Sequence, residues 1–373
     1  MIPQIEPWFD EEVLRQVTET VSSTWLVEAE KTRLFEQKFA ALTGCRHAIA
    51  VNNATAGLYV CLKALGVGQG DEVILPDLTF IATANAVIWA GAKPILADID
   101  PESFNISPVD IEKKITPQTR AIIPVHLYGQ SADMEAILEI AKQNDLSVIE
   151  DAAESIGTIF QGQSVGAWGD AGVFSFYGNK TITTGQGGMI TTNDEKIARA
   201  CLILKNHGRT ERGTFIHQHI GYNFCYTDLQ AAVGLGQLTQ LPQILSRKRR
   251  NQRFYQKLLA AVPGLRFPDD DPRCASVPWF VNILVSDPQA LSEHLSAADI
   301  GNRRFFYPLH RQPCYQGWWA DEFPVADRIY GQGLSLPSSA TLTEAQISLV
   351  CQEIKKFFGH EQSDEDLSGL ANI

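Results

Sequence analysis

Lys180 is the residue in this sequence best placed to do chemistry. It follows the apolar, aromatic run of residues 172–177 (GVFSFY) and precedes the glycine-rich turn of residues 184–188 (TGQGG). Apolar neighbours that exclude water lower the pKa of an amine, as a Schiff-base lysine requires. The glycines let the backbone approach a ligand closely. The sequence therefore predicts that Lys180 is a catalytic lysine beside a bound ligand.

A carboxylate, Asp151, ends a second predicted strand, residues 146–151 (LSVIED). Open α/β sheets bind ligands in the crevice at the carboxyl ends of their strands. A carboxylate there can pair with the nitrogen of a pyridine ring and favour its protonated form, which makes the ring an electron sink. Asp151 and Glu154 also have the spacing of a helix-capping pair. This segment alone leaves both interpretations open.

A loop that enters a helix at residues 52–63 (NNATAGLYVCLK) is a candidate phosphate site. Free backbone amides at a helix N-terminus bind anions, and Thr55 can add its hydroxyl. Ser175, five residues before Lys180, can supply a second hydroxyl. Plain helix capping explains the same residues of the loop, so the pattern allows either use.

Two further side chains complete the candidate set. Phe80 follows the end of a predicted strand, where it can stack on a flat ring or pack in the core. Asn223 lies in residues 221–232 (GYNFCYTDLQAA), a loop that runs into a helix. It can bind a ligand or form an Asx-type cap.

Composition limits the function classes. The 373 residues are 45% hydrophobic and 20% charged, which is typical of a soluble globular protein with two domains. The net charge of -12 argues against general nucleic-acid binding. The seven cysteines lack the paired spacing of a zinc site or a disulfide framework, so we expect reduced thiols and no metal. With no signal sequence and no long apolar segment, we expect no membrane partner and a cytoplasmic location.

The pattern of elements is typical of an α/β domain with a largely parallel sheet, because short apolar runs alternate with segments of helical period. This alternation of apolar runs and helical segments becomes less regular after about residue 240. We predict a large domain over residues 1–245, whose first residues can pack on a smaller C-terminal α+β domain over 246–358, and a flexible tail over 359–373. Strands are predicted at 73–76, 94–98, 121–125, 147–151, 172–176 and 281–285, and helices at 82–90, 134–143, 194–204 and 343–358.

In this order, the segments resemble the DegT/DnrJ/EryC1/StrS family of sugar aminotransferases, which are fold-type-I pyridoxal phosphate enzymes. The likeness extends from Pro3 to the helix near Phe358. The family's lysine motif is matched by Ser175, Lys180 and residues 184–188. Its Asp-Ala-Ala motif is matched at residues 151–153, and its phosphate loop by residues 53–55 (NAT).

The resemblance implies pyridoxal 5'-phosphate as the cofactor. Lys180 would be the covalent anchor of the cofactor and then the general base and general acid of the reaction. Asp151 would pair with the ring nitrogen, and Glu154 would approach the ring hydroxyl.

The same resemblance implies the remaining cofactor contacts. The phosphate would be bound by Ala54, Thr55 and Ser175, and Phe80 would stack on the ring. Asn223 would cross to the phosphate of a neighbouring subunit, which implies a homodimer with shared active sites.

Within the family, residues 174–185 (FSFYGNKTITTG) and 304–310 (RFFYPLH) are most similar to the GDP-perosamine synthases. Those enzymes aminate the C4 ketone of GDP-4-keto-6-deoxymannose, usually with glutamate. The resemblance thus implies a nucleotide-linked keto sugar and L-glutamate as partners, and a role in lipopolysaccharide O-antigen biosynthesis. Candidate sugar contacts are Trp25, Asn179, Tyr307 and His310, although a lone histidine also suits a structural role.

Two residues depart from the family's pattern. Cys225 stands where an arginine, a bidentate donor for anions, is common, and Gln186 stands where glutamate is usual. Two alternatives stay open: an aminotransferase for another dTDP- or UDP-linked 3- or 4-keto sugar, and a non-catalytic regulatory protein of the same fold. The related sugar dehydratases have histidine in place of the lysine, so the presence of Lys180 favours transamination. A nicotinamide enzyme would need a G-x-G-x-x-G segment after its first strand, and none is found there.

Overall fold

The computed structural model describes residues 1–211 and 215–360. The strands of this part of the chain are β1 (His47–Val51), β2 (Glu72–Pro76), β3 (Lys93–Ala97), β4 (Thr119–Ile122), β5 (Ser147–Asp151), β6 (Ile159–Phe160), β7 (Gln163–Ser164), β8 (Ala171–Ser175), β9 (Gly188–Thr192), β10 (Cys274–Ala275), β11 (Val281–Leu284), β12 (Arg303–Arg304) and β13 (Gly333–Leu336). The α-helices are α1 (Glu11–Ser22), α2 (Glu30–Thr43), α3 (Ala54–Ala64), α4 (Ala82–Ala90), α5 (Pro108–Lys114), α6 (Met134–Gln143), α7 (Glu195–Lys205), α8 (Asp228–Leu259), α9 (Pro288–Ala297), α10 (Pro324–Gln332) and α11 (Glu344–Phe357). Short 3-10 helices cover Leu127–Gly129, Leu309–Arg311 and Pro313–Tyr315.

A seven-stranded sheet in the order β1-β9-β8-β5-β4-β2-β3 forms the centre of the fold. The strands from β3 to β8 in this order are parallel, whereas β9 runs antiparallel to both β8 and β1. Buried apolar clusters lie on both faces, which is why the parallel strands are nearly continuous apolar runs. The predicted α/β class with a mostly parallel sheet is therefore confirmed.

A smaller antiparallel sheet, in the order β11-β13-β12, lies in the C-terminal part of the chain. Helices α9 and α11 pack with it around a separate apolar cluster. Helix α8 begins at a capping box in which Thr227 and Gln230 bind each other's backbone amides. It then continues for 32 residues. The predicted domain boundary at residue 245 falls inside this helix, and the division into two domains stays a prediction.

The predicted tail lies outside the described residues except for Gly359 and His360. In the two described ranges, no helix combines the length and the apolar character needed to cross a membrane.

Candidate active site

The candidate site lies where three chain segments meet at the carboxyl ends of β5 and β8. Asp151 ends β5, Ser175 ends β8, and Ser175 pairs with Gly188 at the start of β9. A Cβ added to Gly188 would lie 2.7 Å from the backbone nitrogen of Ala54, the first residue of α3. Lys180 lies in the connection between β8 and β9. The fold thus brings the predicted carboxylate, hydroxyl and helix N-terminus to the edge of the sheet that holds the lysine.

Replacing Gly188 with alanine is expected to lower the free energy of unfolding by about 1–3 kcal/mol, because the new methyl group has no space against rigid backbone. Thermal or denaturant unfolding measures this loss. Gly178→Ala is the matched control, since a Cβ there would have its nearest neighbour at 3.9 Å. Equal losses in the two variants would contradict the packing argument.

The Lys180 amine is almost enclosed by protein. Its side chain is 12% exposed, and its Nζ lies 3.4 Å from Glu154 Oε1. The same Nζ lies 3.6 Å from the centroid of the Trp279 ring. Burial lowers the pKa of Lys180, and the carboxylates of Glu154 and Asp151 oppose this effect only in part. The lysine therefore has the desolvated amine that its sequence context predicts.

Glu154 is held beside the lysine by a backbone amide. Its Oε2 accepts a hydrogen bond of 2.8 Å from the N–H of Tyr128. Tyr128 adopts φ of 56°, a left-handed conformation that costs a residue other than glycine about 1–3 kcal/mol. Burial raises the pKa of Glu154, and the positive charge of Lys180 opposes this effect.

Asp151 is 5% exposed and is fixed by two donors. Its Oδ2 accepts from Thr83 Oγ at 2.8 Å, and its Oδ1 accepts from the N–H of Ala153 at 3.2 Å. Burial raises the pKa of this carboxyl group. The residues that follow Asp151 form turns and no helix, so the helix-capping interpretation of Asp151 and Glu154 is wrong.

The N-terminus of α3 offers two backbone amides to an anion. The side chain of its N-cap, Asn53, accepts from the N–H of Ala56, and the Asn53 carbonyl accepts from the N–H of Gly57. The N–H groups of Ala54 and Thr55 come before those of Ala56 and Gly57, and the first N–H groups of a helix have no partner inside it. Capping and anion binding are thus compatible here. Asn53 caps the helix, and the backbone amides of Ala54 and Thr55 remain available to an anion.

Ser175 and Phe80 lie at the same edge of the sheet. The Ser175 hydroxyl oxygen accepts from the N–H of Tyr177 at 3.3 Å, and the side chain is half-buried. Phe80 is 55% exposed, and its ring centroid lies 5.7 Å from that of Phe306. It is therefore not a core residue, and its ring is available for stacking on a ligand.

Asn223 is exposed, and its backbone forms an isolated bridge with Asn206. The cap of the following helix is Thr227, so the capping interpretation of Asn223 is not supported. Among the described residues of this single chain, no hydrogen bond links Asn223 to Lys180 or to the start of α3. A contact between Asn223 and the cofactor stays a prediction about a second subunit.

Two of the four candidate sugar contacts lie on the surface. Trp25 is 61% exposed, and Tyr307 is also exposed, with its ring packed edge-on against that of Tyr330. Neither ring is buried in the core, so both are accessible to a ligand.

The other two candidates differ in how they are held. The backbone oxygen of Asn179 accepts from Trp279 Nε1 at 2.8 Å, while its buried side-chain Oδ1 has no partner among the described residues. His310 is engaged on both ring nitrogens: Nδ1 lies 2.7 Å from Asp77 Oδ2, and Nε2 lies 3.5 Å from Asp327 Oδ1. Hydrogen bonding to Asp77 raises the pKa of His310. This geometry favours the structural interpretation of His310 and leaves Asn179 the stronger candidate.

Four residues near the lysine were not predicted. Trp279 precedes β11 and is buried, so its sequence context indicates only a core residue. Tyr128 acts through its backbone, which leaves no trace in the sequence, and Thr83 is one of the two threonines in residues 77–85 (DLTFIATAN). Arg303 directly precedes another arginine, and the sequence does not distinguish the two.

The structure shows the contacts of Cys225 and Gln186, the two residues that depart from the family's pattern. Cys225 Sγ donates to the backbone oxygen of Lys205 at 3.6 Å, and burial raises the pKa of the thiol. Lys205 is itself buried, and its Nζ lies 3.0 Å from Glu28 Oε2. Gln186 is exposed, and its carbonyl accepts from Gln230 Nε2 at 2.7 Å. Neither Cys225 nor Lys205 offers a free positive charge to an anion.

The residues present fit pyridoxal phosphate. Asp151 is a buried carboxylate that makes no ion pair within residues 1–211 and 215–360, so a protonated ring nitrogen would supply the missing counter-charge. Two amides at the N-terminus of α3 fit a phosphate. Phe80 offers an exposed ring for stacking, and Lys180 offers the amine that an aldehyde needs.

Comparison with known proteins gives one consistent result. Residues 7–355 match the model of the DegT/DnrJ/EryC1/StrS aminotransferase family. The chain is 40% identical over 361 residues to a GDP-perosamine synthase from Escherichia coli O157:H7, covering 96% of this chain and 98% of that relative. Among solved structures, DesV from S. venezuelae in complex with a ketimine intermediate has a TM-score of 0.90 and 32% identity, with 95% of both chains covered. The PLP-form of the putative sugar aminotransferase Spr1654 from Streptococcus pneumoniae has a TM-score of 0.92 and 25% identity, covering 97% of this chain and 100% of that one.

Proposed function

Because this chain belongs to the DegT/DnrJ/EryC1/StrS aminotransferase family, we propose that it transfers an amino group from an amino acid to a nucleotide-linked keto sugar with pyridoxal phosphate. One observation carries the proposal: Lys180 is a buried amine with a lowered pKa at the carboxyl ends of β5 and β8, close to the carboxylates of Glu154 and Asp151. Lys248 is also buried, but its Nζ donates to the backbone carbonyls of Trp279 and Ser338, as a structural lysine does. Lys180 Nζ instead lies between a carboxylate and a ring face, which suits a reactive amine better than a regulatory protein without catalysis.

Asp151, Ala54, Thr55, Ser175 and Phe80 are the proposed cofactor contacts. Asp151 would pair with the ring nitrogen, the residues at the start of α3 and the Ser175 hydroxyl would bind the phosphate, and Phe80 would stack on the ring. Bound pyridoxal phosphate supplies an electron sink for the charge left when a proton is removed from the α-carbon of an amino acid.

Lys180 is the proposed proton carrier. Its lowered pKa increases the neutral share of the amine, so that Nζ can accept a proton as general base and return it as general acid. Glu154, 3.4 Å away, keeps the amine in place and stabilises it when it carries the proton. The Trp279 ring covers the amine and excludes water.

Thr83 is the proposed support for Asp151. Thr83→Val removes the donor to Asp151 Oδ2 while keeping the shape of the side chain, and kcat/KM for transamination is expected to fall about 10-fold, as for one hydrogen bond to a charged group. Thr79→Val is the control, because the Thr79 hydroxyl bonds to that of Thr83 at 3.4 Å and no hydrogen bond among the described residues links it to Asp151. Steady-state kinetics of both variants test this role. Equal effects would show that the loss does not come from the direct donor to Asp151.

The proposed substrate is the C4 ketone of GDP-4-keto-6-deoxymannose, and the proposed donor is L-glutamate. The 40% identity to a GDP-perosamine synthase over nearly the whole chain supports this choice above dTDP- or UDP-linked 3- or 4-keto sugars. Asn179 and the exposed rings of Trp25 and Tyr307 are the proposed sugar contacts. We also propose a role in lipopolysaccharide O-antigen biosynthesis.

We propose a homodimer in which Asn223 completes the site of the partner subunit. The exposure of Asn223 supports this arrangement. Two apolar residues near it, Val27 and Ile220, are also exposed, and the backbone of Val27 forms an isolated bridge with Thr227. Apolar side chains that remain exposed in one chain are typical of an interface.

The proposed location is the cytoplasm, in keeping with the free state of all seven cysteines.

Two measurements test the function. The purified protein should be yellow, and borohydride should bleach it and fix the cofactor to Lys180, as peptide mass spectrometry would show. A panel of GDP-, dTDP- and UDP-linked 3- and 4-keto sugars with L-glutamate then identifies the substrate by its aminated product. A protein that stays colourless with added pyridoxal phosphate would refute the cofactor, and one that aminates no sugar of the panel would refute the substrate class.

A further inference from the structure

Arg303, on β12, is a positive charge near Lys180 and Glu154, and it opposes the rise in the pKa of Glu154 that burial causes. It is half-buried, and its buried Nε has no hydrogen-bond partner among the described residues. It makes no ion pair with a carboxylate in the same part of the chain. A guanidinium group that loses water without gaining acceptors is costly, so such a group needs an explanation.

The adjacent residue shows how the same strand satisfies an arginine. Arg304 Nε donates to the carbonyl of Gly333 at 3.2 Å, and one terminal nitrogen donates to the carbonyl of Tyr330 at 2.8 Å. Successive residues of a strand point to opposite faces. Hence β12 directs one satisfied arginine away from the site and one unsatisfied arginine towards it.

Aromatic rings hold Arg303 in position. Its guanidinium carbon lies 4.7 Å from the ring centroid of Phe280 and 5.1 Å from those of Trp279 and Phe306. Stacking against ring faces fixes the plane of a guanidinium group but leaves the N–H groups along its edge free. Those donors remain available to a planar anion such as a carboxylate.

Arg303 and Lys180 share the Trp279 ring. The Lys180 amine lies 3.6 Å from the ring centroid, and Arg303 lies 5.1 Å from it. The positive charge of Arg303 also contributes to the lowered pKa of Lys180. An anion bound at Arg303 would therefore lie close to the atoms on which Lys180 acts.

We propose that Arg303 binds the α-carboxylate of the amino-acid donor, an inference that rests on the proposed transamination. In an α-amino acid the carboxylate and the amino group are attached to the same carbon, so a carboxylate receptor must lie close to the reacting lysine. The pyrophosphate of a nucleotide sugar leaves the sugar at C1, on the far side of the ring from a C4 ketone. The position of Arg303 thus fits the donor better than the nucleotide.

The test separates the two halves of the reaction in the holoenzyme. The absorbance change of the cofactor with L-glutamate alone measures the first half, and its reversal by the keto sugar measures the second. For Arg303→Gln we expect a rise of about 10- to 100-fold in the glutamate concentration that gives the half-maximal rate. The half-maximal sugar concentration should change less than about twofold. Arg303→Lys should give an intermediate loss, because it keeps the charge without the planar fork.

Arg304→Gln is the matched control, since it removes the same charge from the next residue. It should leave the dependence on glutamate unchanged, although loss of its carbonyl contacts can lower the melting temperature. Binding of α-methyl-L-glutamate, which has no α-proton to lose, gives a readout that does not depend on turnover. Its dissociation constant, followed by cofactor absorbance, should rise for Arg303→Gln and not for Arg304→Gln.

The possible results distinguish failure of the Arg303 inference from failure of the proposed transamination. Unchanged glutamate dependence in Arg303→Gln, or a weakened response to the sugar alone, would overturn the inference, and the second result would assign Arg303 to the nucleotide. A wild-type protein that responds to glutamate but aminates no sugar would refute the proposed substrate while the Arg303 comparison still holds. A wild-type protein that responds to no amino acid would overturn both.

Discussion

Lys180→Ala is expected to lower the transamination rate by at least about 10⁴-fold, the upper range for loss of a positioned proton carrier. The variant also loses the amine that anchors the cofactor, so two functions disappear together. The side chain is buried against Glu154 and the Trp279 ring. Lys248 reaches only the backbone carbonyl of Trp279, at 3.2 Å, so it does not replace the amine over the ring. Single-turnover absorbance measurements with L-glutamate would show the loss directly.

Lys180→Arg is the control that keeps a positive charge beside Glu154. An arginine remains protonated at neutral pH and cannot act as a base, so it should be as inactive as the alanine variant. Borohydride should fix the cofactor in the wild type and in neither variant. Activity within about tenfold of the wild type in Lys180→Arg would contradict the assignment.

Asp151→Asn is expected to lower kcat by about 10²- to 10³-fold, the size of effect seen when one oriented electrostatic group is removed from an active site. The amide keeps the shape, and its single oxygen can still accept from the N–H of Ala153 while its NH2 group donates to the Thr83 hydroxyl, but it cannot balance a protonated ring nitrogen. The amino-acid half-reaction, followed by stopped-flow absorbance, should slow to the same extent.

Asp170→Asn is the matched control for this charge removal. Asp170 also accepts a backbone hydrogen bond, from Val148 at 2.8 Å, but it directly precedes β8, at the end opposite to Ser175. Its replacement should leave kcat unchanged. If both asparagine variants lost activity equally, the effect would reflect the fold rather than the ring nitrogen.

Local sequence patterns predicted the parallel part of the sheet well, because strands buried on both faces are short apolar runs. The helix predicted at residues 82–90 and the strand predicted at 147–151 agree with α4 and β5. The patterns missed β1 and β9, the two strands joined by antiparallel pairing at one edge of the sheet. Residues 188–192 (GMITT) begin with glycine and contain two threonines, so their strand character depends on burial that the fold supplies.

Only those site residues that lie at or just after the end of a predicted strand could be identified from the sequence. Lys180 and Asp151 follow strands that the sequence reveals, and the topology of a parallel sheet then brings strand ends together. Trp279 and Arg303 come from segments about 100 or more positions further along the chain, and no local pattern connects them to the lysine. His310 has partners that its sequence context does not reveal, since its ring nitrogens lie 2.7 Å from Asp77 and 3.5 Å from Asp327, and its contact with the sugar stays a prediction.

The contact between Glu154 and the backbone of Tyr128 has an evolutionary consequence. Because the donor is an N–H group, every amino acid except proline can supply it at position 128, and glycine or asparagine would adopt the left-handed φ with less strain. Natural variation at this position would therefore keep the N–H donor to Glu154, while it would change the buried ring that stacks on Phe306 and the hydroxyl that accepts from the Phe306 N–H at 3.1 Å. Lineages that handle differently shaped substrates could diversify position 128 without disturbing the carboxylate beside the lysine.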